Sequence, residues 1–341
     1  RASFEIILPT EININHRAFN AAISPHVASQ KNQVKYHWSV ENLVAVRPEA
    51  YSPTYREILP WVAVSPHYFE TDKYKGSMKD WKSYGQFMHL LNEDRDQLSP
   101  DMIAKVKAMT AKAKNDADKI AILYRYLQKN TRYVSVQLGI GGWQTFDAEY
   151  VERNNYGDCK ALTNFMKSML SAADITAYPT LIHSSNDNFP IPDDLPSLYF
   201  NHVILNIPSE EMWLDCTSNH FPPNYIGRSN ADRKVLRITE QGGELIRTPA
   251  LSADDNASLR QASIHINADG SAKIKEQTQF KGAFHEYYRY YALNQSEEEQ
   301  KRDFYHDHSL PTFHIDEWSL KADKFRATAD LACQVTVKKY A

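Results

Sequence analysis

The sequence predicts an α+β protein in which a core of helices and antiparallel strands lies between two β-rich regions. In residues 1–75, the segment 34–40 alternates apolar and polar side chains, which is the period of a half-buried strand. Residues 76–250 carry helical apolar stripes followed by short apolar strand segments, an order typical of α+β folds. Strand alternation returns in residues 251–341. These three ranges are the predicted domains.

The elements before residue 131 follow from alternation, helical spacing and capping signals. Residues 3–8 read as a strand. Ser99-Pro100-Asp101 predicts a helix start, with a hydroxyl cap, a proline at the first position and an early acid. Asn115 or Asp116 caps the next helix. The apolar stripes are Trp81, Tyr84, Met88 and Leu91; Met102, Ile103, Val106 and Met109; and Ile120, Leu123, Tyr124 and Leu127.

The remaining elements of the core are a short strand, a helix and three further strands. The short strand is predicted over 132–137, and Gly157-Asp158-Cys159-Lys160 opens the helix. Its core-facing stripe is Leu162, Phe165, Met166, Met169 and Leu170. The strands are predicted over 180–182, 202–207 and 212–215.

The last region predicts a hairpin and a helix. Residues 264–280 alternate on both sides of Asp269-Gly270, a dipeptide typical of hairpin turns. Residues 284–304 are predicted to be helical. The chain starts at Arg1 rather than Met and stops just after a strand-like segment, so we expect both flanking β-domains to be truncated.

Composition excludes several classes of protein. The 341 residues include 39 Lys and Arg against 42 Asp and Glu, a net charge of −3, which argues against a nucleic-acid partner or a polybasic membrane anchor. No apolar run approaches 18 residues, so no transmembrane segment is predicted in the chain. The three cysteines are too few for a disulfide framework.

Cys159 is the first candidate for chemistry, because it lies at the predicted start of a helix. Free backbone N–H groups and the helix dipole stabilise a thiolate at such a position, and the thiolate is the nucleophile. The same N–H groups can bind an oxyanion. The alternative is a buried core cysteine, which is a common role for this residue.

His202 and Asp215 are the candidates for a base and the acid that orients it. His202 begins one predicted strand and Asp215 ends the next, so antiparallel pairing can bring the two side chains into hydrogen-bonding reach. A carboxylate there fixes the imidazole tautomer and stabilises the imidazolium. The alternative for His202 is a surface or packing residue at a strand start.

These three segments together resemble the transglutaminase-like superfamily. Gly-Asp-Cys-Lys stands at a helix start, Asn-His-Val on one strand and Trp-Leu-Asp-Cys-Thr on the next, in that order. The Gly-rich stretch 139–142, the following Trp143-Gln144 and Tyr156 also fall in the expected order. The resemblance covers about residues 76–250. One departure is that Ala161-Leu162-Thr163 follows Cys159-Lys160, where many relatives continue Lys-Asp-Lys; this affects local salt bridges rather than the triad.

The resemblance implies a papain-like core with Cys159, His202 and Asp215 as a catalytic triad. It implies that residues 1–75 are the later part of an N-terminal β-domain and residues 251–341 the opening of a C-terminal β-sandwich. Bacterial proteins of this type are found in the cell envelope, so the resemblance also implies a periplasmic or extracellular location.

The reaction implied is acyl transfer from a peptide or protein amide through a cysteine thioester, without a cofactor or metal. Water as the acceptor makes the protein a cysteine protease or amidase, the first hypothesis; an amine acceptor makes it a crosslinking transglutaminase. A second hypothesis of a different class is a non-catalytic module of the envelope that binds peptide or glycan.

Several neighbouring residues are candidates for supporting roles. Gln144, with Gln137 behind it, is the oxyanion candidate, and the alternative is a loop glutamine in solvent. Trp143, Tyr156 and Trp213 are candidates to line the cleft, and the alternative is a scaffold role.

Other motifs are assigned structural roles. Cys216 and Cys333 are expected to be core residues, and the histidines 306, 308 and 314 a solvated loop rather than a metal site. The four tyrosines 287, 288, 290 and 291 are expected to pack against the last sheet. Gly139-x-Gly141-Gly142 lacks the spacing of a dinucleotide fingerprint.

Overall fold

The protein is described by a computed structural model that covers residues 1–47, 49–187, 189–310 and 312–341. Its α-helices are α1 (Tyr55–Ile58), α2 (Trp81–Leu91), α3 (Pro100–Thr110), α4 (Asp116–Asn130), α5 (Ala148–Asn154), α6 (Cys159–Ala172), α7 (His285–Asn294) and α8 (Glu297–Asp307). Short 3₁₀ turns lie at Gly139–Gly142, Pro208–Glu210 and Gly282–Phe284.

The strands fall into three regions of the chain. The first seven are β1 (Ala2–Pro9), β2 (Ile14–Phe19), β3 (His26–Gln30), β4 (Gln33–Val40), β5 (Trp61–Pro66), β6 (Tyr68–Thr71) and β7 (Tyr74–Ser77). The next seven are β8 (Arg132–Tyr133), β9 (Tyr156–Gly157), β10 (Tyr178–Ile182), β11 (His202–Ile207), β12 (Met212–Leu214), β13 (Lys234–Thr239) and β14 (Gly242–Arg247). The last four are β15 (Ser258–Ile266), β16 (Ala272–Lys281), β17 (Phe313–Ala322) and β18 (Thr328–Val337).

The first 75 residues form small antiparallel sheets. One has the order β1-β4-β3, and β2 pairs with β5. The predicted alternation along β4 is confirmed, because Trp38 is buried there while its polar neighbours face outward. Phe4 stacks on Trp38 with ring centroids 5.7 Å apart, and His16 meets the same ring edge-on. The predicted boundary at residue 75 falls within β7, and the division into domains stays a prediction.

The central region packs helices on one face of a five-stranded antiparallel sheet, in the order β12-β11-β10-β13-β14. Helix α6 lies on β11, and its predicted apolar stripe is buried there against Leu205, Ile207 and Leu214. Helix α2 lies beside it on β13 and β14. A Cβ atom on Gly85 would come within 2.1 Å of Gly243, so the helix and hairpin backbones touch directly.

The helix starts in this region are confirmed at the predicted residues. Ser99 caps α3 by accepting a hydrogen bond from the Met102 amide, and Asn115 caps α4 by accepting one from Asp118. The predicted strand over 132–137 is too long, because only Arg132 and Tyr133 pair, with β9. Strands β13 and β14 were not predicted, because their apolar residues follow no clear alternation.

The last region contains one antiparallel sheet in the order β15-β16-β18-β17. The predicted hairpin is confirmed by β15 and β16. Helices α7 and α8 cover one face of the sheet; Ser296 interrupts the predicted single helix and caps α8. A second sheet is not found among the described residues of this region, and the β-sandwich stays a prediction.

The tyrosine cluster on α7 corrects one expectation. Tyr288 packs on the sheet as predicted, stacking on Phe280 with ring centroids 3.6 Å apart. Tyr287 and Tyr290 are 46% and 49% exposed, because neighbouring residues on a helix point in different directions. Among the described residues, no helix is both long and apolar enough to cross a bilayer.

Candidate active site

Cys159 is the first residue of α6, and its surroundings form a capped helix start. The Asp158 side chain accepts a hydrogen bond from the Ala161 amide at 3.0 Å and pairs with Lys160. The carbonyl of Asp158 accepts the first helical bond, from Leu162. Cys159 is 4% exposed and lies against α2 and the sheet. The positive end of the helix dipole therefore acts on the sulfur.

Gly157 permits this arrangement by bringing the chain close to the helix it opens. A Cβ atom at residue 157 would lie 2.8 Å from the Cβ of Ala161 and 3.3 Å from the Val151 side chain. Any larger residue would push the turn before Cys159 outward.

His202 and Asp215 meet as the strand pairing predicts. His202 is the first residue of β11, and Asp215 follows the last residue of β12, which pairs with β11. The imidazole Nε2 lies 3.2 Å from Oδ2 of Asp215, and both side chains are largely buried. Cys159 lies beside His202. Since Nε2 faces Asp215, the other ring nitrogen, Nδ1, is the one available to the sulfur.

The Asp215 carboxylate is held by several hydrogen-bond donors. Its Oδ1 atom accepts from the amide of Thr217 at 3.0 Å and from the hydroxyl of the same residue at 2.6 Å. Its Oδ2 atom accepts from Nδ2 of Asn230 at 3.1 Å. The backbone carbonyl of Asp215 accepts from the buried hydroxyl of Tyr124 at 2.7 Å. Both the main chain and the side chain are thus fixed.

Electrostatics favour the charged forms of both partners. Burial disfavours the imidazolium, but the charge of Asp215, the hydrogen bond to it and the nearby Cys159 outweigh burial and raise the pKa of His202 to about 10. Burial also opposes ionisation of Asp215, yet the charge of His202 and the bonds from His202 and Thr217 lower the pKa of that carboxyl. Both shifts favour an imidazolium–carboxylate pair.

A cavity of about 220 Å³ opens onto the cysteine and the histidine. Its lining combines the polar Cys159 and His202 with a mostly apolar wall that includes Tyr84, Trp143 and Phe200. A second cavity of about 860 Å³ shares Trp143 and Lys160 with the lining of the first. The two cavities therefore adjoin, and only the smaller one reaches Cys159 and His202.

The side-chain amide of the oxyanion candidate Gln144 already has hydrogen-bond partners. Nε2 of Gln144 donates to the Leu91 carbonyl at 2.7 Å and to the Tyr74 hydroxyl at 3.1 Å, so its amide ties α2 to the neighbouring loop. Among the described residues, the lining of the smaller cavity includes Gln137 but not Gln144. Gln137 is exposed and belongs to the loop that precedes the Gly-rich turn.

Of the three aromatic candidates, Trp143 lines the cavity and the other two lie elsewhere. Tyr156 contacts Tyr150 of α5, with the two hydroxyl oxygens 2.5 Å apart. Trp213 packs with Ile204 and Ile226 on the face of the sheet opposite α6. Successive residues of a strand point to opposite faces, which places Trp213 away from its neighbour Leu214 and from the cavity.

The other two cysteines are buried core residues, as expected. Burial raises the pKa of the Cys333 thiol to about 11, and burial with the nearby Asp215 charge raises the pKa of Cys216 still further. All three cysteines are free thiols. Within the described ranges, no group of three or more His, Cys, Asp or Glu side chains has the arrangement of a metal site.

Sequence reasoning missed Thr217, Asn230 and Phe200 as parts of the site. Thr217 carried a usable signal, since a hydroxyl two residues after an aspartate commonly bonds back to it. Asn230 carried none, because it lies 15 residues beyond Asp215 and approaches it only through the fold.

No family model and no curated protein matches the chain. Among solved structures, it is similar to a "putative protease" from Parabacteroides distasonis, with 13% identity, a TM-score of 0.51, and 99% of this chain and 66% of that chain covered. It is also similar to a "putative cysteine protease" from Cytophaga hutchinsonii, with 14% identity, a TM-score of 0.29, and 63% and 65% of the two chains covered.

The first of these similarities shows a shared fold. It extends over nearly all of this chain, so this α+β architecture occurs in another protein. This chain spans just under two thirds of the length of that protein.

Proposed function

We propose that the protein is a cysteine hydrolase of peptide or amide bonds, of the transglutaminase-like superfamily, with Cys159, His202 and Asp215 as its triad. The observation that carries the proposal is that a helix-start cysteine and a histidine line one cavity, while an aspartate is ion-paired to that histidine. The similar protein from Parabacteroides distasonis is described as a "putative protease", which agrees with this proposal.

The first half of the reaction forms a thioester. The imidazolium of His202 favours the thiolate of Cys159, which attacks the carbonyl carbon of the bound amide. The negative charge that develops on the carbonyl oxygen is stabilised by backbone N–H groups at the start of α6, with the amide of Gln137 as the side-chain candidate. His202 then gives its proton to the leaving amine, and the C–N bond breaks.

The second half releases the acyl group. His202, now neutral, takes a proton from a water molecule, whose oxygen attacks the thioester carbonyl. The C–S bond breaks, the carboxylic acid leaves and the thiolate–imidazolium pair is restored. Asp215 keeps Nε2 protonated and stabilises the imidazolium in both halves. A primary amine in place of water would make this reaction a transglutamination.

The experiment that tests the proposal compares wild type with Cys159→Ala on two readouts. Quenched fluorescent peptides report hydrolysis, and incorporation of a fluorescent primary amine into casein reports amine transfer. We expect hydrolysis in wild type and a loss of about 10⁴-fold or more in kcat for the variant. Amine incorporation without hydrolysis would replace the hydrolase by the transglutaminase.

The matched control is Cys333→Ala, which removes a buried thiol far from the cavity and should leave turnover intact. Equal turnover by the Cys159→Ala and Cys333→Ala variants would refute the triad. A wild type that binds peptides without turning any over would favour the non-catalytic envelope module.

We also propose a location in the cell envelope or periplasm. This proposal rests on the resemblance to bacterial proteins of the superfamily. Fractionation of cells that produce the full-length protein tests it, and recovery in the cytoplasmic fraction would contradict it.

A further inference from the structure

The geometry points to α7 as the element that holds Asp215 in register with His202, and assigns Arg289 and Glu286 as positioning residues. The inference rests on the proposed function, since it concerns the same triad. It gives residues 251–341 a role in the site, although none of them contacts the cavity beside Cys159 within the described part of the chain.

The segment that carries Asp215 has no regular structure of its own. Residues 215–230 run from the end of β12 to Asn230 through turns, without a strand or helix. Both ends belong to the site, because Nδ2 of Asn230 donates to Asp215. A segment without its own hydrogen-bonded ladder takes its position from the elements around it.

Two side chains of helix α7, those of Arg289 and Glu286, form hydrogen bonds with this segment. Nε of Arg289 donates to the His220 carbonyl, and the same guanidinium donates to the carbonyl of Asp323 in the last sheet region. Oε1 of Glu286 accepts from the Tyr225 hydroxyl at 2.6 Å and from the Arg228 amide at 2.8 Å. Three residues apart on a helix, the two side chains share one face.

Helix α4 supplies the opposing contacts from inside the core. Nε2 of Gln128 donates to the carbonyls of Ser218 and Phe221 at 2.9 and 2.8 Å, next to the carbonyl that Arg289 binds. Tyr124 binds the carbonyl of Asp215 itself. The segment is therefore fixed between α4 and α7, and its position depends on both helices.

Because Arg289 is buried, its N–H groups need hydrogen-bond acceptors within the protein. The residue is 4% exposed, and a buried guanidinium is costly unless its N–H groups are satisfied. Its donors meet main-chain carbonyls, so the charge holds the backbone rather than another side chain. His220 lies five residues after Asp215, close enough for a shift there to move the carboxylate away from Nε2 of His202.

The test measures the rate of iodoacetamide alkylation of each cysteine by peptide mass, in the full chain at pH 6. Wild type and His202→Ala first establish that fast labelling of Cys159 depends on His202. Arg289→Ala should then lower the Cys159 rate by about 3- to 30-fold, and Arg289→Lys should restore part of it. Glu286→Gln should lower the rate in the same direction but less.

Two features of the readout separate positioning from simple loss of structure. Buried Cys333 reports unfolding of the last region, so it must stay unlabelled in each variant. At pH 10 the Cys159 rates of wild type and Arg289→Ala should converge, because an ordinary thiol ionises there without help. Arg302→Ala, on the exposed face of α8, is the matched control and should match wild type at both pH values.

The outcomes are distinct. If His202→Ala labels Cys159 as fast as wild type, the proposed triad fails. If His202→Ala slows labelling and Arg289→Ala does not, the triad stands and the role of α7 is overturned. If Arg289→Ala makes Cys333 reactive, Tyr225→Phe is the deciding variant, because it removes only the hydroxyl that donates to Glu286. We then expect slower alkylation of Cys159 while Cys333 stays unlabelled. An unchanged alkylation rate of Cys159 would overturn the inference.

Discussion

The two sides of the candidate site are built by different means. On the cysteine side, the contacts of Asp158 are to Lys160, Ala161 and Leu162, all within four residues. On the acid side, Asp215 has a local partner in Thr217 but is also held by Tyr124, His202 and Asn230, which are 91, 13 and 15 residues away. One side is specified by a local helix cap, whereas the other needs the assembled sheet. We expect substitutions on the acid side to reduce mainly activity. We expect a substitution at the local helix start on the cysteine side to reduce mainly stability.

The largest effect is expected from Asp215→Asn. The amide keeps the shape but removes the charge that holds His202 protonated, so we expect kcat to fall by roughly 10³- to 10⁴-fold. The free energy of unfolding should fall as well, because the amide offers a single acceptor oxygen to Thr217, Asn230 and His202. Steady-state hydrolysis, at a temperature where urea unfolding shows the variant to be folded, checks the expected loss, and turnover close to that of wild type would refute the role of Asp215.

The ion pair between His202 and Asp215 should also make the free energy of unfolding depend on pH. Because the pKa of His202 is raised from 6.5 to about 10, its contribution is complete below pH 6.5 and lost as the pH rises through 10. Relative to His202→Gln, wild type should lose up to about 1.4 kcal/mol of unfolding free energy per pH unit across this window.

Urea unfolding at several pH values measures this difference. His26→Gln, on exposed β3, is the control and should follow wild type. A wild-type curve that runs parallel to that of His202→Gln would show that the imidazole is not held in its charged form.

On the cysteine side, Gly157→Ala should mainly affect stability. The added methyl group meets Ala161 at 2.8 Å, and overpacking of this kind costs about 1–3 kcal/mol. Thermal unfolding measures the loss. Gly141→Ala, where only a backbone oxygen at 3.8 Å is near, is the control; equal losses in the two variants would contradict a steric cause.

The smallest effect is expected from Thr217→Val, which removes one hydroxyl from Oδ1 of Asp215 and keeps the side-chain shape. We expect a loss of about 0.5–1.5 kcal/mol in unfolding free energy and a modest fall in kcat. Thr217→Ser keeps the hydroxyl and should retain most of both. If serine were as harmful as valine, the methyl group rather than the hydrogen bond would be important.

The same contrast explains what could be predicted from the sequence. The start of α6 was predictable, because a glycine, an acid and an apolar stripe lie within one short segment. The approach of His202 to Asp215 was predictable from antiparallel pairing of neighbouring strands. The hydrogen bonds of the Gln144 amide to Leu91 and Tyr74 could not be predicted, because residue type alone does not show which groups a side chain contacts. Asn230 and Arg289 act across long stretches of chain, where local patterns carry no information.

Strand β15 differs from every other strand of its sheet, because all nine of its residues are exposed. It pairs with β16 along one side, while its other side faces solvent. In deuterated buffer, the amides of β15 that point away from β16 should therefore exchange at nearly the rate of a free peptide. The amides of β16, which is paired on both sides, should exchange only when a larger part of the sheet opens. The boundary between fast-exchanging and slow-exchanging amides therefore lies within the single hairpin of β15 and β16.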